Sequence, residues 1–331
     1  MFNPPLGKPW LLYVLLGTSL ALNLVMVLDR PSSPDGETEA EAVAAAAEAT
    51  AEPAPVASLA PVAPAAPVAL PDGWQITKAD VDHSLARTLQ NAAGEQGDAL
   101  AAAYARLFVW ELDLRRDLQK GDQVEVIWRP HPESVVEVLA ARYHSRKLGT
   151  TLEAWKWQAP GEPFAVYWDS TGRGVERRLM GGPIQRYEQI TALLKDRPTH
   201  KGMDFKAPVG TEVLAPASGT VTRTNWNWTA NGNCMELQLD DGHLVKLLHL
   251  AENKVEAGSR ITKGQVIALS GNTGRSTAPH LHYELHKGDK VVDPLDYHKL
   301  EQQQLTGATL EAFKVEQLRL AAMLDGSLAL R

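Results

Sequence analysis

The chain has almost no cysteine: Cys234 is the single one in 331 residues. One thiol rules out an intrachain disulfide. With no CxxC partner it also offers no cysteine metal knot or paired redox centre, so a small side chain in a strand is its expected state. Positive charge is short as well. Lysine and arginine number 33 against 40 aspartates and glutamates, a formal net charge of -7. The basic footprint needed for phosphate backbones is missing, and nucleic acid is not an expected partner. Long apolar runs are scarce too, with one exception from Pro9 to Leu28. Its length is about the ~20 residues that span a bilayer as a helix. It exceeds the apolar region of a cleaved signal peptide, about 7 to 15 residues, and no small-residue cleavage site follows it closely. No cysteine stands close behind it, so a lipoprotein anchor is not expected. Lys8 and the amino terminus precede it, while the stretch after it is mostly acidic apart from Arg30. The amino end is therefore expected in the cytoplasm and everything after Asp29 beyond the membrane.

Composition then divides the chain. Residues 1–30 form the expected transmembrane anchor, and residues 31–71, rich in Ala, Pro and Glu, form a linker with too little apolar surface to fold alone. Residues 72–180 read as an accessory α+β domain. Up to about residue 120 the pattern is helical, with Val81, Leu85 and Leu89 at helical spacing, then Leu100, Tyr104, Leu107 and Leu114 after a cap at Asp98. Gly121-Asp122 breaks it, and short β-rich runs follow. Tryptophans 128, 155, 157 and 168 lie in or beside these runs and are expected in the core rather than stacked on sugars. Residues 181–300 read as consecutive short strands, with Asp241-Gly242 a hairpin signal and Lys263-Gly264 another turn. This makes the fold class a mainly β, antiparallel, barrel-sandwich-like domain behind a small α+β domain. Residues 301–331 are expected to be a helical extension packed on the body through Leu310, Phe313, Leu318 and Met323.

The chemistry concentrates between Thr199 and Pro294. His200 and Asp204 lie four apart in His-Lys-Gly-Met-Asp, and His280-Leu-His282 lies far downstream. Three side chains of this type can hold one zinc ion and leave its fourth position open. Side chains two apart on a strand share a face, so His280 and His282 can look into one cavity, one on the metal and the other on substrate. His200 and Asp204 would lie about 13 Å apart if extended, too far to share an ion. Gly202 inside the motif, with Pro198 and Pro208 flanking it, disfavours a helix. A turn at Gly202 leading into a strand at Asp204 is the expected solution.

His-Lys-Gly-Met-Asp204, Leu-Leu-His249-Leu and Gly271-Asn-Thr-Gly-Arg-Ser-Thr-Ala-Pro-His-Leu-His-Tyr-Glu284 resemble the lysostaphin-like, or LytM-type, zinc metallopeptidases. The resemblance covers roughly residues 180 to 300. It implies that His200, Asp204 and His282 bind zinc, and that His249 and His280 act on the water and the developing oxyanion. It also implies hydrolysis of peptidoglycan peptide crosslinks. An acidic chain must then find an anionic wall by specific contacts. Two positions depart from the family pattern. Leu247 stands where a tyrosine is common, and Gln185-Arg-Tyr-Glu-Gln-Ile190 replaces the usual Ser-Arg-Phe-Gly opening.

The order of anchor, linker, accessory domain and peptidase is similar to periplasmic enzymes that cut D-alanyl to meso-diaminopimelate bonds, held by a single pass in the inner membrane. A glycyl-glycine bridge is the other substrate the family implies. The accessory domain, by resemblance, would partly occlude the groove until a regulatory protein partner displaces it. A non-catalytic relative that activates another cell wall hydrolase is the alternative, but such relatives usually lack metal ligands. A biotinyl or lipoyl carrier shares strand patterns around Val213–Val221 and Val255–Val266, yet the modifiable lysine between methionines is missing. Histidines 83, 131, 144, 243, 286 and 298 are expected outside the site, and Gly271–Pro279 is expected as a turn that delivers His280.

Overall fold

The computed structural model describes residues 70–326, apart from 115, 133 and 134. The expected anchor and all but the last residues of the linker lie outside the described residues. Among the described residues no helix is long and apolar enough to cross a membrane.

The chain begins with β1 (Gln75–Asp80), then α1 (Leu85–Ala93) and α2 (Gly97–Phe108). Strands β2 (Gln123–His131), β3 (Val135–Ser145), β4 (Thr150–Trp157), β5 (Val166–Trp168) and β6 (Arg173–Leu179) follow. They pair in sequence order as one antiparallel sheet. Here the helical reading of residues 72–120 needs correction. Ile76 and Thr77 face opposite sides of β1, and Thr77, bonded to Trp128 Nε1 at 2.9 Å, is buried. The spacing of Val81, Leu85 and Leu89 extends a helix signal across what is a strand and a turn. Ser84 caps α1 by accepting the Arg87 N–H, and Asp98 lies in the first turn of α2 rather than at its cap. The described residues between 109 and 122 form turns and irregular backbone, with no helix or strand.

Both faces of this sheet are covered. Val124, Val126 and Trp128 pack with Leu89, Leu100 and Tyr104 of the two helices. On the other face Ile127, Trp155 and Trp168 pack with Phe313 and Leu320. Burying each such side chain is worth roughly 1.5–3 kcal/mol, so the tryptophans serve the core, as expected.

The chain then builds β7 (Gln189–Ala192), β8 (Met203–Lys206), β9 (Glu212–Leu214) and β10 (Gly219–Thr224), followed by the short helix α3 (Trp228–Asn231). Strands β11 (Asn233–Leu239), β12 (His243–Leu250), β13 (Glu252–Asn253), β14 (Arg260–Ile261), β15 (Val266–Leu269), β16 (His280–Lys287) and β17 (Lys290–Val292) complete the region. The main sheet runs β14-β10-β11-β12-β16-β8-β7, with β17 also on β16, and β13-β15-β9 form a small second sheet. All these pairs are antiparallel, the mainly β architecture expected. The hairpin forms at Asp241-Gly242, where Gly242 takes φ 85°. Cys234 is buried in β11.

After α4 (Pro294–Tyr297) the chain returns to the first sheet. Strand β18 (Leu300–Gln304) pairs with β6, and α5 (Gly307–Leu324) lies across the sheet face. The expected helix is present, but the strand before it was not foreseen, and Leu318 is 65% exposed while Phe313 and Met323 are buried.

Candidate metal centre

Strand register brings Asp204 on β8 opposite His282 on β16. His200 joins them because the chain turns at Gly202 before β8 begins. A Cβ at Gly202 would meet the Tyr283 carbonyl oxygen at 2.3 Å and His282 Nε2 at 3.1 Å, so the turn needs a residue without a side chain. His200, Asp204 and His282 each present one ligand atom, and these atoms lie within 4.8 Å of one another. His200 Nε2 is 3.2 Å from Asp204 Oδ2 and His282 Nδ1 is 2.6 Å from Asp204 Oδ1. His200 Nε2 is buried with no hydrogen-bond partner. A buried orphan nitrogen aimed at a carboxylate is costly in itself, and a two-histidine, one-carboxylate donor set suits zinc. The residues fit the ion.

The charges agree. Burial pushes the Asp204 carboxyl up, but the His200 imidazole beside it and the hydrogen bond from His282 outweigh it and hold the group well below the usual carboxylate range. Burial works against a charged His282, yet the hydrogen bonds to Asp204 and Glu284 raise it to about 9. A proton between His282 and Asp204 thus marks where positive charge is favoured, and a bound cation would replace it.

Each ring is oriented by its other nitrogen. His200 Nδ1 donates to the Leu193 carbonyl at 3.0 Å. His282 is reversed, with Nδ1 towards Asp204 and Nε2 donating to Glu284 Oε1 at 3.2 Å. Glu284 Oε2 in turn lies 2.8 Å from His286 Nε2 and 3.4 Å from Lys246 Nζ. Burial alone would raise Glu284, but hydrogen bonds from His282 and His286 bring it down to about 2. Glu284 was missed as a site residue, although it shares the face of His280 and His282 by the same two-residue alternation. His286 lies outside the ligand group but steadies it through Glu284.

His249 and His280 flank the triad, with ring centroids 4.8 Å apart, and His249 lies 6.1 Å from His282. His249 Nδ1 donates to the Thr273 carbonyl at 2.9 Å, and His280 Nδ1 to the Ala278 carbonyl at 2.8 Å with Ser276 Oγ at 3.1 Å. Among the described residues neither Nε2 has a hydrogen bond, and His280 Nε2 lies 3.9 Å from Asp204 Oδ1. Burial pushes the His249 imidazole below its ordinary value and keeps it neutral. His280 stands at the end of the expected turn, which closes with its own N–H on the Gly271 carbonyl. His249 is less simple. Val245 and Leu247 face the core, and strict alternation would send His249 after them. A register shift on β11 and a φ of 62° at His249 form a bulge that turns the ring to the site instead. All five predicted residues are therefore together. The Leu247 departure leaves an apolar side chain in the core.

Comparison with known proteins follows the same stretch. Residues 198–294 match Peptidase family M23. The peptidoglycan DD-endopeptidase ShyC of Vibrio cholerae is 30% identical over 233 residues, 63% of this chain and 50% of the relative. The glycyl-glycine endopeptidase ALE-1 of Staphylococcus capitis is 42% identical over 86 residues, 26% of this chain and 24% of the relative. Among solved structures, the catalytic domain of lysostaphin from Staphylococcus simulans is 31% identical, covering 37% of this chain and 90% of that one, with a TM-score of 0.30. The chain spans about half the length of the first curated relatives it matches.

Proposed function

We propose, from the Peptidase family M23 domain at residues 198–294, that the chain is a zinc endopeptidase that hydrolyses peptide crosslinks of peptidoglycan at the D-alanyl to meso-diaminopimelate bond. The convergence of His200, Asp204 and His282 within 4.8 Å, beside two further imidazoles, carries the reading. Similarity to a peptidoglycan DD-endopeptidase, ShyC, supports a D,D crosslink over a glycyl bridge, because that match is more than twice as long as the stretch that matches the family.

His200 Nε2, an Asp204 oxygen and His282 Nδ1 would hold the ion. Zinc bound there supplies a Lewis acid for the carbonyl and lowers the pKa of water towards neutrality. His249 accepts the proton of the attacking water at Nε2, since its Nδ1–H is committed to Thr273 and burial keeps it neutral. His280, held at Nδ1 by Ala278, faces the site with Nε2 and, once protonated there, can donate to the oxyanion. The water oxygen bonds to the carbonyl carbon, the C–N bond breaks, and the proton taken by imidazole passes to the leaving amine. The Pro9–Leu28 segment would hold the enzyme at the inner membrane with the peptidase in the periplasm, where a protein partner could regulate it.

The test is the release of fragments from purified crosslinked peptidoglycan, with zinc or with chelator, the cleaved bond identified by mass. Zinc-dependent scission at D-alanyl to meso-diaminopimelate bonds is expected. Scission confined to glycyl bridges, or none with zinc demonstrably bound, would overturn it.

A further inference from the structure

The loop that ends in His200 is fastened from outside the peptidase sheet. Asp196 closes it, its N–H donating to the Leu193 carbonyl at 3.1 Å and its Oδ2 accepting the Leu193 N–H at 2.8 Å. That Leu193 carbonyl also takes the Nδ1–H of His200. Arg106, on α2, places Nη2 2.9 Å from the same Asp196 Oδ2, and its side chain is only 13% exposed. The helix is in turn anchored on the peptidase side, because Val109 and Trp110, just beyond its end, pack on the core beneath the sheet. A second accessory side chain reaches the same segment: Glu176 on β6 accepts the Ile190 N–H of β7 at 2.8 Å.

We propose that Arg106 is a positioning residue for the metal site, an inference that rests on the zinc reading above. It acts through Asp196 and the Leu193 carbonyl to hold the His200 ring with Nε2 towards Asp204. The accessory region then does more than sit beside the groove: its docking sets how well the first ligand is aimed. A metal-ligating histidine depends on the group that holds its other nitrogen, and loss of such a partner typically costs about 10- to 100-fold in metal affinity. Arg106 stands one step further out. The lower end of that range is therefore expected for it.

The experiment measures zinc affinity of the full chain by competition with a chromophoric chelator, together with the melting of the zinc-free protein. Arg106→Ala should weaken zinc binding about 10-fold while the zinc-free chain keeps its folded spectrum, and Arg106→Lys should recover most of the loss. Asp196→Asn should weaken binding similarly, and the double variant should be no weaker than the worse single, because both changes cut one chain of contacts. A merely structural ion pair would lower the melting temperature of the zinc-free protein and leave affinity within about twofold, and that result would overturn the proposal. If Arg106→Ala does not fold, Arg106→Gln and Asp196→Asn carry the same comparison. Failure of the parent chain to bind zinc would instead overturn the metal reading itself.

Discussion

The two large sheets of this molecule treat their faces differently. In the accessory sheet both faces carry apolar clusters that are covered, one by α1 and α2 and the other by α5, and even its tryptophans are core. In the peptidase sheet one face of β16 carries Leu281, Tyr283 and Leu285 into the core, while the other carries His280, His282, Glu284 and His286. All four of these have little access to solvent; His282, Glu284 and His286 are tied to one another, and His280 is tied to the turn before it. A polar row that is sheltered rather than solvated costs desolvation, and two of its members, His282 and Glu284, also carry or share charge. Well-packed apolar residues in such places are often neutral or stabilising, so the row is not explained by stability. The difference separates a face built for packing from one whose residues could hold an ion.

The largest way to test that contrast is to remove the shared carboxylate. Asp204→Ala should abolish zinc binding and crosslink scission together, because Asp204 stands between both ligand histidines. Metal analysis and fragment release on one preparation check it, and scission that survives would mean the site lies elsewhere. His249→Ala should separate the two properties. Zinc should stay bound while turnover falls by about 10²–10⁴-fold, the usual worth of a positioned proton acceptor. Loss of metal in this variant would place His249 among the ligands instead.

Glu284→Gln is the next smaller change. The amide can still accept from His282 Nε2 but removes the charge that His282, His286 and Lys246 converge on. Zinc affinity should fall about 10- to 100-fold with the fold intact. An unchanged affinity would reduce Glu284 to a packing residue.

How much of this was readable before the structure differs residue by residue. The shared face of His280 and His282 follows from strand alternation, and the bend at Gly202 follows from the reach two ligands of one ion must have. His249 could not be found that way. Its ring reaches the site through a bulge and a left-handed φ that no local pattern announces, and only resemblance to known peptidases pointed to it. Glu284 obeyed the alternation, yet a lone carboxylate on a strand carries no signal until its neighbours are known. β1 was hidden because Val81, Leu85 and Leu89 mimic a helix, and its pairing with β2 overrides that spacing. β18 is short and glutamine-rich, and its partner β6 lies more than a hundred residues earlier in the chain.

Glu176 shows that the accessory sheet also contains one badly solvated charge, which sharpens the contrast from the other side. Oε2 accepts the Ile190 N–H, but Oε1 is buried without a hydrogen-bond partner, and burial raises the group to about 7. Its folded value lies above its unfolded one. Its contribution to stability is therefore full at low pH, shrinks as pH rises from about 4.5 to about 7, and is lost above. That loss amounts to about 3 kcal/mol at most. Glu176→Gln should flatten this part of the stability–pH curve in denaturant titrations, whereas an unchanged curve would mean that Glu176 is better solvated than its surroundings imply.

The smallest effect is expected on α5, where helical spacing pointed Leu318 inwards alongside Phe313. Phe313 is buried against Trp157, with ring centroids 5.8 Å apart, and truncating it to alanine should cost about 3–5 kcal/mol. Leu318 is 65% exposed, on the outer side of the same helix with Val315. Leu318→Ala loses little buried surface, and alanine favours helix at least as well, so stability should stay within about 0.5 kcal/mol. Urea midpoints of the two variants measured side by side decide it. A loss of more than about 1 kcal/mol for Leu318→Ala would mean that the outer face of α5 is covered in solution.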